Sequence, residues 1–140
     1  MAITQTQCTC FKVNLLSGLE NFAVGTTYTY KIALYNANAT LDASTLAYTS
    51  VDEVVGTGYT AGGQVLTVVP PSFGGTTAFV SFANVTWNPA SFTTRGALIY
   101  NATTGAAVAV LNFGSDKTAS NTFTVTFPTA DASNAIIRIA

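Results

Sequence analysis

The chain has 140 residues, of which 49% are hydrophobic and only 8% charged, with a formal net charge of -1 and no histidine. That length fits one domain with a sizeable core, but the charge set excludes a nucleic-acid binder, because phosphate contacts need clustered Lys and Arg and Lys12, Lys31, Arg95, Lys117 and Arg138 stand singly. A soluble surface ordinarily carries roughly 25–35% charged residues, so much of this one is expected to be covered by other subunits.

The start, MAITQTQCTCFKVNLL, has no charged segment followed by a long apolar run, so no signal peptide is expected. No window approaches 18 continuous apolar residues, and no membrane span is expected either. Synthesis in a reducing compartment follows, with Cys8 and Cys10 as free thiols. A C-x-C pair cannot complete a four-ligand zinc site without histidine, and a disulfide between the two would close a very tight ring. The glycosylation patterns at Asn38, Asn84 and Asn101 read as chance matches in a Thr-rich chain.

Residues 9–22 read as the one helix. Phe11, Leu15, Leu19 and Phe22 fall on one stripe at spacings of four, four and three, Thr9 is placed to cap the N-terminus, and Gly18 to end the helix as C′. Residues 1–24 thus form an N-terminal arm plus a short helix, within a single β-rich domain spanning 1–140. From 27-TYTYKIALYN-36 the period changes to two, as in a strand with one buried face. Residues 37–63 are irregular, and 56-GTGYTAGG-63, with four glycines, is a loop with neither of the phosphate-binding patterns.

The remainder reads as strand and turn. Strand 64–69 is expected to stop at Pro70-Pro71, since proline donates nothing to a ladder. Strand 76–87 follows as one piece, ending near Pro89. The runs 97-ALIYN-101 and 106-AAVAVLNF-113 form a hairpin around 102–105. Both are apolar on both faces, which places them at the centre of the fold. In 121–127, Phe123, Val125 and Phe127 share a face, and 135-AIIRIA-140 is expected to pair well inside the sheet. Seven strands and one helix predict a mainly β fold, a β-sandwich or flattened barrel.

The chemistry is sparse. Six carboxylates are present without a histidine base, and adjacent Asp52 and Glu53 would point to opposite faces of a strand. No calcium-loop spacing, G-x-S-x-G or metal set occurs, so no enzyme, metal or cofactor is expected. Arg95, at the mouth of the first apolar run, is expected to serve the fold or an interface, its stem on apolar surface and its head on a carboxylate. Trp87, Phe79, Phe82 and Phe92 read as core packing ahead of a sugar-stacking platform.

The segments FKVNLLSG (11–18), KIALYNANATLDASTLAY, DEVVGTGYTAGG, GTTAFVSFANVTW, RGALIYN, AVAVLNFGSDKT and AIIRIA, in that order, resemble a family of small structural proteins encoded by tailed phages. The resemblance runs from Phe11 to Ile139, although the Cys8/Cys10 pair and the low charge depart from it. It implies a virion component that is not an enzyme, assembled in the host cytoplasm. The expected function is that of a capsid cement or decoration protein. It would bind the outside of the assembled head and bridge capsomers, its partners being the major capsid protein and its own copies as a trimer or dimer, with no nucleic acid or membrane. A neck, tail or fibre-base component is the alternative, and a host-glycan or receptor-binding module using the 56–63 loop and exposed tyrosines a further one. Phe11, Leu15, Leu19 and Arg95 are the candidate docking and interface residues, the other reading of the apolar stripe being that it closes its own sheet.

Overall fold

The computed structural model describes residues 2–140. In chain order the backbone forms β1 (Thr6–Gln7), α1 (Thr9–Leu16), β2 (Tyr30–Tyr35), β3 (Gln64–Val65), β4 (Val68–Gly74), β5 (Thr77–Phe82), β6 (Val85–Trp87), β7 (Phe92–Asn101), β8 (Ala107–Ala119), β9 (Phe123–Val125) and β10 (Ile137–Ile139). The protein is mainly β with one short N-terminal helix. A five-stranded sheet has the order β1-β8-β7-β2-β3, a three-stranded one β10-β5-β4, and β6 pairs with β9. All pairings between these strands are antiparallel.

The apolar hairpin is the centre, as its composition predicts. β7 is the middle strand of the large sheet, and Ala97, Leu98, Ile99, Val108 and Val110 are fully buried. Covering on both faces is the reason these runs do not alternate. Aromatic side chains join the sheets: Phe82 of β5 lies 6.4 Å from Tyr30 of β2, and Trp87 of β6 lies 6.5 Å from Phe92 of β7. Stacked antiparallel sheets around one apolar core are compatible with a β-sandwich or flattened barrel.

Several details depart from the expectations. The helix ends at Leu16, not near Phe22. Gly18, at φ +74°, closes it: the Gly18 amide donates to Leu15 O at 3.3 Å and the Leu19 amide to Asn14 O at 2.8 Å. This double bond at a left-handed glycine satisfies the last carbonyls and turns the chain away. Thr9 is not the cap; Cys8 holds that position without a side-chain bond. The Thr9 amide instead donates to Ala43 O at 2.9 Å, so a distant loop does the capping.

Pro70 and Pro71 do not stop a strand. They lie inside β4, opposite Val80, where the register shifts by one residue. Prolines are tolerated there because β4 is a sheet edge and the bulge needs no donor from them. Residues 76–87 split into β5 and β6 in different sheets. The Asn84 side chain at the break accepts the Phe127 amide at 2.8 Å, in place of a ladder partner. β2 is buried on both faces from Ile32 to Tyr35, because the 37–63 loop covers the second face. β10 pairs with β5 alone and is an edge strand, not an interior one. The ten strands exceed the seven expected because of the split and the two-residue pieces.

The N-terminal arm is pinned to its own domain. Thr4 donates to Leu41 O at 2.9 Å, Cys8 to Val108 O at 2.9 Å, and Ile3 is buried. Ile3 fits because Gly96 beneath it has no side chain: a Cβ there would stand 2.9 Å from the Ile3 methyl carbons and 2.5 Å from Leu111 O.

Candidate functional site

The four candidate interface residues separate into three settings. Phe11 is fully buried. Its ring meets Phe22 edge-on at 6.0 Å, and Phe22 stacks on Tyr30 at 4.5 Å and reaches Phe82 at 6.2 Å. Phe11 therefore closes its own sheet, and in this conformation it offers no docking surface. Leu15 is half-buried and Leu19 is 53% exposed. Arg95 lies where the β7–β8 register jumps, and its Nε donates to Asp116 Oδ1 at 2.8 Å. With side chains 36% and 53% exposed, this is a solvated pair that ties two strands across an irregularity.

Leu15 forms part of a cleft of about 260 Å³. The cleft arises because Gly18 ends α1 and the chain then crosses the small sheet. Leu15, Glu20 and Phe22 form one side; Phe79 and Val80 of β5 and Ile137 of β10 form the other. Five of these six side chains are apolar.

Glu20 is the one charged side chain of the lining, which also includes the exposed Asn21, and it is 7% exposed. Its Oε1 accepts hydrogen bonds from Tyr30 Oη at 2.9 Å and from Asn101 Nδ2 at 2.9 Å. Asn101 is itself fully buried, and its Oδ1 receives the Thr103 amide at 2.9 Å, so Glu20 is tied to the turn of the central hairpin. Its Oε2 is buried with no partner. Burial raises the Glu20 carboxyl above the usual glutamate value, against the bonds from Asn101 and Tyr30, which favour the charged form. An unpartnered buried acceptor is costly and calls for an explanation.

A second buried carboxylate has no such vacancy. Glu53 Oε1 accepts from Tyr48 Oη at 2.6 Å; Oε2 accepts from Tyr59 Oη and from the Gly62 amide at 2.8 Å. Tyr59 Oη also receives the Leu34 amide at 2.9 Å, and Tyr100 Oη donates to Gly62 O at 2.6 Å. This satisfied network staples the 45–63 loop to β2 and β7. Asp52 and Glu53 are not opposite faces of a strand: Asp52 sits in a turn at φ +61° and Glu53 is turned inward.

The remaining candidates are structural. Trp87, Phe82 and Phe92 are buried core residues, and only Phe79 is partly open, in the cleft. The exposed tyrosines expected of a glycan-binding surface are not found: Tyr30, Tyr35 and Tyr100 are buried, and Tyr28, Tyr48 and Tyr59, the last in the 56–63 loop, are half-buried. Cys8 and Cys10 are free thiols; burial first, then Cys10 and Asp42, push Cys8 up to about 12. No group of three or more His, Cys, Asp or Glu among the described residues is placed to hold a metal ion, and no helix among them is long and apolar enough to cross a membrane.

Leu15 was legible from the helical stripe, whereas Glu20 counted only as one of six carboxylates. The one available signal was its place just after the helix-ending glycine, between two apolar residues in LENF. No protein-family model, curated protein or solved structure matches the chain.

Proposed function

We propose that this chain is a structural protein of a tailed-phage virion, and within the virion a capsid cement protein that binds the outside of the assembled head and bridges capsomers. The observation that carries the reading is apolar surface left open around the cleft. Leu16, Leu19 and Val24 are 90%, 53% and 83% exposed on the N-terminal segment that forms one wall. Ile139, 55% exposed, is part of the opposite wall, and Phe73, 75% exposed, belongs to the same small sheet. Exposed apolar surface of this kind, on a chain with a net charge of -1, is suited to burial against another protein. The ordered segments quoted above, and their likeness to small phage structural proteins, point the same way.

The function requires no catalysis. A protein that binds the assembled lattice and not its dissociated subunits stabilises the lattice by mass action. The major capsid protein is the partner in this reading, together with further copies of the chain.

Quantitative mass spectrometry of purified virions tests it. A cement protein is present in hundreds of copies, commensurate with the shell symmetry. About a dozen copies or fewer would instead indicate a neck, tail or fibre-base component built on one symmetry axis. Absence from the particle would overturn both.

A further inference from the structure

Residues 19–24, between α1 and β2, form a strap flanked by glycines. Gly18 at φ +74° and Gly25 at φ +82° have open space where a side chain would stand, so both joints can turn without a clash. Glu20 and Phe22 are buried, and the other four residues of the strap are exposed. Among the described residues no main-chain bond joins 20–24 to a strand. The polar attachment centres on one atom, Tyr30 Oη, which receives the Asn21 amide at 3.1 Å and lies 2.9 Å from Glu20 Oε1 and 3.4 Å from Asn21 O.

That hydroxyl has one hydrogen and two acceptors. When Glu20 is a carboxylate, the hydrogen goes to Oε1, the charged and nearer acceptor, and Asn21 O is left out. When Glu20 is an acid, its own proton finds an acceptor only through Oε1, because Oε2 is buried without a partner. Oε1 then donates to Tyr30 Oη, the tyrosine hydrogen turns to Asn21 O, and both main-chain groups of Asn21 are clasped. The bare Oε2 is then a neutral carbonyl oxygen, which costs less to bury than half of an anion. The titratable groups that face Glu20 are Tyr30 from β2 and Cys10 from α1; β7 supplies the neutral amide of Asn101, and the β4, β5 and β10 residues of the cleft carry no titratable group. The only ion pair among the described residues, Arg95 with Asp116, leaves Glu20 without a cation. Burial, which raises its carboxyl, acts in the same sense.

We propose that residues 19–24 are a pH-operated strap, latched over the aromatic core while Glu20 carries its proton and released when Glu20 ionises. Release turns the strap about Gly18 and Gly25, brings Glu20 into water, and uncovers the Tyr30 and Phe82 rings that Phe22 now packs against. The latch stands without the function proposed above. It adds to that function that the exposed Leu19 and Val24, which ride on the strap, are held in place only on the acid side.

Amide hydrogen exchange and the NMR signal of the Glu20 carboxyl carbon, followed together on the whole chain across pH, test the latch. Protection of the Asn21 amide, corrected for the base dependence of exchange itself, should be constant below the ordinary glutamate value. Above it, protection should fall about tenfold per pH unit and level off once the Glu20 signal shows full ionisation. Nuclear Overhauser contacts between the Phe22 and Tyr30 rings should weaken over the same range, while the Ser91 amide, bonded to Thr57 O at 2.9 Å, keeps its protection. Glu20→Gln, which cannot ionise, should hold the strap shut at every pH. Tyr30→Phe removes the clasp and should leave the Asn21 amide unprotected at every pH. Asn21 protection and ring contacts that stay level through the Glu20 titration would overturn the proposal, as would a pH dependence that survives in Glu20→Gln. Should that variant not fold, pH-dependent protection of Asn21 persisting in Tyr30→Phe would overturn it instead.

Discussion

Phe11→Ala distinguishes a side chain used inside the domain from one held in reserve for a partner. Phe11 is fully buried and packs edge-on against Phe22, which in turn stacks on Tyr30. Truncating a buried phenylalanine costs about 3–5 kcal/mol through lost transfer energy and the cavity left behind. Domains have only about 5–15 kcal/mol in total, so the variant should remain folded but close to its limit. With an unfolding entropy of about 2.1 cal/mol/K per residue over this length, the loss corresponds to a fall in Tm of about 10–17 °C. Leu19→Ser is the control: Leu19 is 53% exposed, and a surface change should stay within about 0.5 kcal/mol. Urea unfolding by tryptophan fluorescence reads both, since Trp87 is buried. The two variants should then reverse order in a head-binding assay, with Leu19→Ser weakened and folded Phe11→Ala retained. A Phe11→Ala cost under about 1 kcal/mol would refute the reasoning, and would return Phe11 to the docking surface.

Other variants probe the polar interior. Glu53→Gln replaces an acceptor oxygen by an amide donor facing Tyr59 or Tyr48, so it should cost about 2–4 kcal/mol and speed hydrogen exchange at the Gly62 and Leu34 amides; unchanged exchange would rule out the staple. Glu20 has a carboxyl raised by burial, so the folded state holds its proton more tightly than the unfolded chain. Its contribution is fully present below the unfolded value and is lost as pH rises through the folded one, each tenfold change in acid constant being worth about 1.4 kcal/mol. The stability of Glu20→Gln relative to wild type should therefore rise with pH across that window, and a flat difference in paired urea titrations would count against the buried carboxylate. For Arg95 and Asp116, a double-mutant cycle with alanine should give a coupling of about 1 kcal/mol or less, declining with salt; a coupling of several kcal/mol would show a pair far less solvated than its exposures indicate.

What could be read from the sequence was what local composition decides. The β7–β8 hairpin announced itself because ALIY and AAVAVLNF are apolar without alternation, a pattern that only double-sided burial permits. Phe123, Val125 and Phe127 kept their common inner face, and Gly18 ended the helix where a left-handed residue was needed. Tertiary context decided the rest. Pro70 and Pro71 break a central strand but suit an edge, and edge position depends on which strands arrive later in the chain. The helical stripe ran on past Gly18 to Phe22 because a chain that folds back can restore the same contact without helical spacing. Glu20 was invisible as a site because its cleft is walled by residues more than fifty positions away, in β5 and β10. A carboxylate in sequence carries no mark of whether water will reach it.

The two prolines of β4 also bear on how copies of the chain can join. The small sheet has one margin formed by β4, where two consecutive residues lack an amide hydrogen, and another formed by β10, which pairs with β5 alone. In polymer terms β4 is a capped end: Pro70 and Pro71 offer no donors, so a ladder cannot be continued through that margin without a break, which guards one side of the small sheet against edge-to-edge growth in a protein with so little charge to keep its copies apart.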